Sequence, residues 1–232
     1  MSEQLRRTFL KHSAALAGGL VIPALALAQQ KKEGELEVTP NEDLMREHGL
    51  LRRVLFIYDE SVLRLTQRTK GKPDFDASIV TSCADIVRRF VEDYHEKLEQ
   101  DHIFPRLQKA GKETALVSTL LEQHNIGRLL TDKIKQSASG ALKNKDDART
   151  LADAIHKFQW MYRPHAAWED TVLFPAFKTT LSQHEYDSLG EEFEKIETQK
   201  FGEEGFEHVL AQVAELEKKL GIADPSHYTP TP

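Results

Sequence analysis

The feature that most constrains this chain is a short pattern that occurs twice, seventy residues apart. The first copy, HEKLEQDHIFPRL, begins at His95, and the second, HAAWEDTVLFPAF, begins at His165. Each copy has a glutamate four positions after its histidine, Glu99 or Glu169, followed by an apolar-Phe-Pro step. Residues i and i+4 lie on one face of a helix, so each copy directs an imidazole and a carboxylate towards the same point.

A further histidine precedes each copy, His48 before the first and His124 before the second. A lone histidine on an apolar helix face is more often a hydrogen-bonded core residue, and a single His-Glu pair is often solvated. The repetition favours a shared metal site, because these groups would cost roughly several kcal/mol each if they were buried without partners. The predicted metal ligands are His48, His95, Glu99, His124, His165 and Glu169.

The composition of the 232 residues favours helix throughout, with sparse glycine and proline and little strand-like alternation. A net charge of -6 does not indicate a nucleic-acid partner. The single cysteine, Cys83, excludes an internal disulfide and a thiolate cluster.

Five helical blocks are predicted, at residues 42–69 with Asn41 as N-cap, 76–109, 113–137, 146–181 and 183–220. The short connections between the first four favour an antiparallel up-down-up-down four-helix bundle, with the last block as an additional, acidic C-terminal helix. The ligand groups then fall one per bundle helix. Pro105 and Pro175 follow the ligand pairs at a distance expected to kink the helices without disturbing the site.

The first thirty residues are typical of a targeting segment, with a positive start, an apolar stretch and an Ala-Leu-Ala cleavage step that ends at Ala28. Arg6 and Arg7 resemble the twin-arginine export signal of bacteria. We therefore expect a periplasmic protein with no membrane span in its mature form. The alternative is an uncleaved N-terminal anchor. The predicted divisions are a signal peptide (1–28), a polar linker (29–40), the metal-binding bundle (41–181), the accessory helix (182–220) and a flexible tail (221–232).

Several nearby side chains stay as alternatives. Asp170 competes with Glu169 as the second carboxylate, or hydrogen-bonds an imidazole from outside. His102 lies on the same stripe as His95 and is a candidate extra ligand or supporting residue. Tyr162 is expected in the core. The remaining histidines are predicted to lie away from the site: His12, His156, His184, His208 and His227.

Imidazole and carboxylate without thiolate suit iron, zinc, copper or nickel. Four histidines and two bridging carboxylates supply two nitrogens and two oxygens to each of two ions, which fits six-coordinate iron better than tetrahedral zinc. The order of histidine then glutamate also differs from the Glu-x-x-His motifs of ferritin-like sites.

The set H48…H95EKLE99…H124…H165AAWE169 resembles the hemerythrin family, and more closely its HHE cation-binding branch. The resemblance covers residues 41–181. It implies an antiparallel four-helix bundle that holds a non-haem, oxo- or hydroxo-bridged pair of iron ions. It also implies a small ligand, dioxygen, nitric oxide or peroxide, with the four histidines as terminal ligands and Glu99 and Glu169 as bridges.

One position departs from the family pattern. Oxygen-carrying hemerythrins have a fifth histidine one turn before the histidine matched by His124, and here that position is Leu120. Both ions can therefore have an open position. The final carboxylate of the carriers has the spacing of Asp170, which leaves that alternative open.

Three functions follow from these patterns. A di-iron protein that binds a small molecule for sensing, storage or detoxification is preferred to an enzyme. The alternatives are a di-iron peroxidase or oxidase, and a storage or structural-metal module whose acidic last helix docks a partner.

Overall fold

The computed structural model describes residues 38–66, 75–138 and 145–230, and their regular secondary structure is entirely helical. Six helices follow in order: α1 (Pro40–Leu65), α2 (residues 78–110), α3 (Thr114–Ala138), α4 (residues 145–178), α5 (Gln183–Phe201) and α6 (Gly205–Leu220). The all-α prediction is confirmed. The predicted signal peptide, most of the linker and the end of the first predicted helical block, residues 67–69, lie outside the described residues.

The first four helices form a closed bundle. Helix α1 packs on α2 and α4, and α3 packs on the same two helices from the other side. Contacts between neighbouring helices run in opposite directions along the chain, as between α1 and α4, where Asn41 meets Phe174 and Leu55 meets Gln159. Such neighbours are antiparallel, as predicted. The core is continuous and contains large aromatic side chains, among them Tyr58, Phe90 and Phe158. Within the described residues, no helix is long and apolar enough to cross a bilayer.

The start of α1 corrects one prediction. The N-cap is Thr39 rather than Asn41: its hydroxyl accepts from the Glu42 backbone N–H, the Glu42 carboxylate accepts from the Thr39 N–H, and Pro40 occupies the first turn. Asn41 instead lies inside the helix and is buried. Its side-chain amide donates to the Phe174 carbonyl at 2.8 Å, which ties α1 to α4.

Helices α2 and α4 each contain a five-residue π-helical turn. The π turns are Glu99–Ile103 and Glu169–Leu173, and α2 has a longer π-helical stretch upstream, Val87–His95. Each short π turn begins at a predicted ligand glutamate and ends just before Phe-Pro. The wider turn accommodates the proline, which lacks an N–H and whose ring would clash with the carbonyl four residues earlier. The helices are therefore irregular from the ligand glutamate onwards, which differs from the prediction of a kink beyond the site.

The predicted single helix at residues 183–220 is in fact two. Helix α5 starts with a capping box between Ser182 and Glu185 and ends at Gly202, whose φ is +89°. Because a side chain is strained at this positive φ, glycine fits the break, and α6 begins at Gly205. Both helices pack on α1, and α6 also contacts the start of α2.

The C-terminal segment, predicted to be extended or disordered, contains a short 3₁₀ helix, Pro225–Tyr228. The Tyr228 ring lies 5.6 Å from that of Phe56 on α1. This part of the tail is therefore held against the bundle.

Candidate metal centre

The structure brings the six predicted ligands together in the middle of the bundle. They form two groups, His48 with His95 and Glu99, and His124 with His165 and Glu169. Within each group one ligand atom per residue lies within 4.8 Å of the others, and all six side chains are at most 3% exposed. Each group therefore offers two imidazoles and one carboxylate to one ion. We call them the first group and the second group.

The two glutamates link the groups. The oxygens of Glu99 lie 3.5 Å from His95 Nε2 and 3.4 Å from His124 Nε2, one histidine from each group. Glu169 Oε2 lies 3.2 Å from His165 Nε2 and 3.3 Å from His48 Nε2, again one from each. Both carboxylates thus lie between the two groups, as bridging ligands would.

Each ligand histidine is held from outside by a polar side chain of the preceding helix around the bundle. All four contacts are made at Nδ1 of the imidazole. They are Glu47 to His95 at 2.6 Å, Gln100 to His124 at 2.9 Å, Gln123 to His165 at 2.8 Å and Asp170 to His48 at 2.6 Å. The contacts run from α1 to α2, α2 to α3, α3 to α4 and α4 back to α1. Every bundle helix therefore supplies ligands and also orients an imidazole of its neighbour.

Three of the four outer contacts, those with an oxygen at Nδ1, set the tautomer of the imidazole. Glu47 and Asp170 accept from Nδ1–H of His95 and His48, which leaves a lone pair on each Nε2. Those two Nε2 atoms are 3.0 Å apart. Two lone pairs at that distance repel each other unless a cation or proton lies with them. Gln123 Oε1 likewise accepts from His165 Nδ1.

The inward-facing atoms lack hydrogen bonds. Among the described residues, none hydrogen-bonds to the carboxylate oxygens of Glu99 and Glu169 or to His124 Nε2, although all are buried. Leaving such groups unpaired costs about 1–3 kcal/mol each, and more where they are charged. A pair of cations satisfies these atoms together, so the residues present fit a binuclear metal site.

The electrostatics point the same way. Burial opposes protonation of His95, but the carboxylates of Glu99 and Glu47 outweigh it and raise its pKa well above the usual value. Burial raises the pKa of Glu99, yet His95 and His124 hold it well below the ordinary range. Burial also opposes charge on His48, whose pKa is raised by Asp170 and Glu169. The centre therefore holds positive charge, supplied by protons when a metal ion is absent.

Aromatic rings close the centre. Phe174 stacks on His48 with ring centroids 5.6 Å apart, and Phe104 stacks on His124 at 5.5 Å. These are the phenylalanines of the two Phe-Pro steps, so the repeated motif supplies both ligands and the aromatic rings that pack on ligand imidazoles. Leu120, at the position of the missing fifth histidine, is buried at 1% exposure.

The structure places the side chains of two of the alternatives differently. Glu169 lies in the second group, whereas Asp170 hydrogen-bonds His48 from outside and pairs with Arg52. The outer role predicted as an option for Asp170 is therefore the observed one. His102 is half-buried, its ring meets that of Phe193 on α5, and it belongs to neither ligand group.

The other side chains lie largely as predicted. Tyr162 is a buried core residue whose hydroxyl donates to Glu96 at 2.8 Å and whose ring meets His165 edge-on. The side chains of His156, His184 and His208 are exposed. His12 and the His227 side chain lie outside the described residues.

Sequence reasoning missed the outer residues Glu47, Gln100 and Gln123, and also Glu96, which meets Arg128 at 2.9 Å. The sequence does contain one indication, because each of these four residues is directly adjacent to a predicted ligand. The side chain that each of them contacts lies on another helix, however, so the contact is visible only in the structure.

Comparison with known proteins agrees with this geometry. Residues 39–147 match the family described as hemerythrin HHE cation binding domain. This span includes His48, His95, Glu99 and His124, whereas His165 and Glu169 lie beyond it and are brought to the centre by the fold.

Full-length relatives are mycobacterial. The uncharacterized proteins Rv1995 and MT2051 of Mycobacterium tuberculosis strains and Mb2018 of Mycobacterium bovis are each 42% identical to the chain over 236 aligned positions. The alignment covers 97% of this chain and 91% of each relative. No solved structure matches the chain significantly. With two buried His-His-Glu groups at the middle of a four-helix bundle, the chain belongs to the hemerythrin HHE cation-binding family and is a homologue of these mycobacterial proteins.

Proposed function

We propose that this chain is an exported, non-haem di-iron protein that binds dioxygen or a related small molecule, nitric oxide or peroxide. The observation that supports this most strongly is a set of inward-facing ligand atoms without hydrogen bonds in the described part of the chain: both oxygens of Glu99 and of Glu169, and Nε2 of His124. Two nitrogens and shared carboxylate oxygens per ion leave room for exogenous ligands on a six-coordinate metal such as iron.

In this proposal, His48, His95 and Glu99 hold one iron, and His124, His165 and Glu169 hold the other. Iron supplies reversible one-electron chemistry at a site with open positions. The chain's own residues prepare that site. Glu47, Gln123 and Asp170 fix the imidazole orientations, and the nearly complete burial of the ligands excludes bulk water.

The test is reconstitution of metal-free protein with ferrous iron under anaerobic conditions, followed by exposure to oxygen. A protein with two bound irons should develop ligand-to-metal charge-transfer absorption, and the zinc-loaded protein should remain colourless. Two bound irons without an optical change on exposure to oxygen, nitric oxide or peroxide would reject small-molecule binding and favour the storage or structural-metal alternative.

The periplasmic location is a separate part of the proposal and rests on residues 1–28. The twin-arginine route exports folded proteins, which suits a metal centre assembled before export. Fractionation of cells that produce the full chain should find it in the periplasm, and replacement of both Arg6 and Arg7 by lysine should retain it in the cytoplasm. Periplasmic recovery of the double variant would exclude this route.

The second candidate function is a di-iron peroxidase, and the buried Leu120 favours it. Because leucine offers no ligand where oxygen carriers have a fifth histidine, both ions keep an accessible position. This function predicts many turnovers with peroxide, lost in Glu99→Ala and reduced in Leu120→His. A single stoichiometric reaction per protein would exclude it.

A further inference from the structure

A cluster of three acidic side chains lies next to the metal centre. Asp43 and Glu47 on α1 and Glu197 on α5 each offer a carboxylate oxygen, and these oxygens lie within 4.8 Å of one another. Two oxygens on opposite sides of a bound divalent cation are about 4–5 Å apart. The spacing therefore suits a cation, although carboxylate clusters alone are common on protein surfaces.

Glu47 distinguishes this cluster from a surface patch. It is 2% exposed, and its Oε2 accepts from His95 Nδ1 at 2.6 Å. Its other oxygen, Oε1, is buried and receives no hydrogen bond from any residue that the structure describes. One oxygen thus contacts a histidine of the metal centre, and the other has no hydrogen bond. One carboxylate oxygen of Glu47 lies within 4.8 Å of an oxygen of Asp43 and of an oxygen of Glu197.

Tyr94 adds a fourth oxygen. Its hydroxyl is buried and has no hydrogen bond of normal geometry within the described ranges. The carboxylates of Glu47, Glu197 and Asp43 act electrostatically on this hydroxyl, which places it near the cluster.

Nearby groups compensate the negative charge only in part. Arg46 Nη1 lies 3.2 Å from Asp43, but the same guanidinium also approaches Glu207 at 3.6 Å and covers the ring of Phe206. The Phe206 backbone N–H donates to Glu197 at 2.6 Å. Burial, with the neighbouring carboxylates, raises the pKa of Asp43 to about 7.

We propose that Asp43, Glu47 and Glu197 form a third cation site, for a divalent ion that prefers oxygen ligands, between solvent and the buried histidine-rich pair. Asp43 is 19% exposed at its side chain, so an ion can arrive from solvent. Magnesium and manganese suit such a site, because they accept few carboxylates and keep several waters. The site also gives α5 a role, since that helix contributes Glu197.

The experiment separates this site from the pair. Full-length protein first receives two equivalents of zinc per chain, which the imidazoles bind preferentially and which gives no paramagnetic signal. Manganese is then titrated while the free ion is measured by electron paramagnetic resonance. Wild-type protein should bind one manganese ion, and Glu197→Gln should bind it at least about tenfold more weakly. The glutamine still accepts from the Phe206 N–H, so the helix start is preserved.

Glu194→Gln is the matched control. It removes the same charge from an exposed position one turn earlier on α5 and should bind manganese like the wild type. Asp43→Asn provides a second test if Glu197→Gln folds poorly. Absence of bound manganese in the wild type, or equal binding by Glu197→Gln, would overturn the third site. If the pair itself does not form, Glu99→Gln protein should still bind one manganese ion that Glu197→Gln removes, so the two proposals fail separately.

Discussion

The two halves of the metal centre have the same ligands but different surroundings. In the first group, both imidazoles are held by carboxylates, Glu47 and Asp170. In the second group, both are held by neutral amides, those of Gln100 and Gln123. A carboxylate partner makes an imidazole more basic than an amide does, so it strengthens metal binding. The sequence repeat thus preserves the ligands while the outer residues make the two positions inequivalent, and we expect the first group to bind its ion more tightly.

The largest effect should come from a substitution that weakens metal binding in both groups at once. Glu99 contacts His95 in one group and His124 in the other. Glu99→Gln removes the shared charge and should lower the metal content from two ions per chain to one or none, measured by elemental analysis after desalting.

Glu92→Gln is the control for this variant. Glu92 is another buried carboxylate of α2, but it pairs with Arg88 and Thr131 outside the centre. That variant should keep two ions. Retention of two ions by Glu99→Gln would show that Glu99 is not a ligand.

A pH series asks whether protons compete with metal in both groups. The pKa values of His48, His95 and His124 are raised, because nearby carboxylates outweigh the opposing effect of burial. Their contribution to the stability of metal-free protein is complete below the ordinary value of 6.5 and is lost as pH rises through the raised values. The pKa values of Glu99 and Glu169 are lowered, so their contribution is complete above 4.5 and is lost on acidification.

Metal-free protein should therefore be most stable between these two values, and metal affinity should increase more than tenfold per pH unit above 6.5 if more than one proton is released. Thermal unfolding of chelated and loaded protein between pH 5 and pH 9 measures this. A gap in Tm that does not widen above neutrality would contradict the account.

Asp170→Asn sharpens the comparison by making the first group resemble the second. The amide still accepts from His48 but carries no charge. We expect the ion of the first group to bind about 10- to 100-fold more weakly and the ion of the second group to be unaffected. Isothermal titration calorimetry, which resolves the two binding steps, measures this. Asp101→Asn is the control: it removes an exposed charge from α2, where Asp101 pairs with Lys97, and should change neither step. Equal weakening of both ions by Asp170→Asn would remove the distinction between the groups.

Two glycines give the smallest effects, with opposite signs in the two halves. A Cβ at Gly127, one turn after His124, would lie 2.1 Å from the Tyr162 hydroxyl, so Gly127→Ala should displace a buried ring and cost about 1–3 kcal/mol. A Cβ at Gly49, next to His48, meets nothing within 4 Å, so Gly49→Ala should stabilise α1 by about 0.5–1 kcal/mol. Urea unfolding measures both. Stabilisation by Gly127→Ala would mean that Tyr162 is not held in place.

Helical periodicity in the sequence was sufficient to predict the four-helix bundle. It was also sufficient to predict that the six candidate ligands lie at the same level along the bundle. It was not sufficient for the break at Gly202, where the positive φ ends a pattern that otherwise reads as one acidic helix. The π turns at Glu99 and Glu169 were also missed, since their wider hydrogen bonding responds to Pro105 and Pro175 in a packed environment. The outer contacts, such as Glu47 with His95, join residues of different helices, so they depend on how the helices pack.

The most direct test of the central claim is a crystal structure of the iron-loaded protein with anomalous diffraction measured at the iron edge. The account predicts two anomalous peaks in each chain, one enclosed by His48, His95 and Glu99 and the other by His124, His165 and Glu169. A single peak, or iron bound elsewhere while these six side chains bind none, would contradict it.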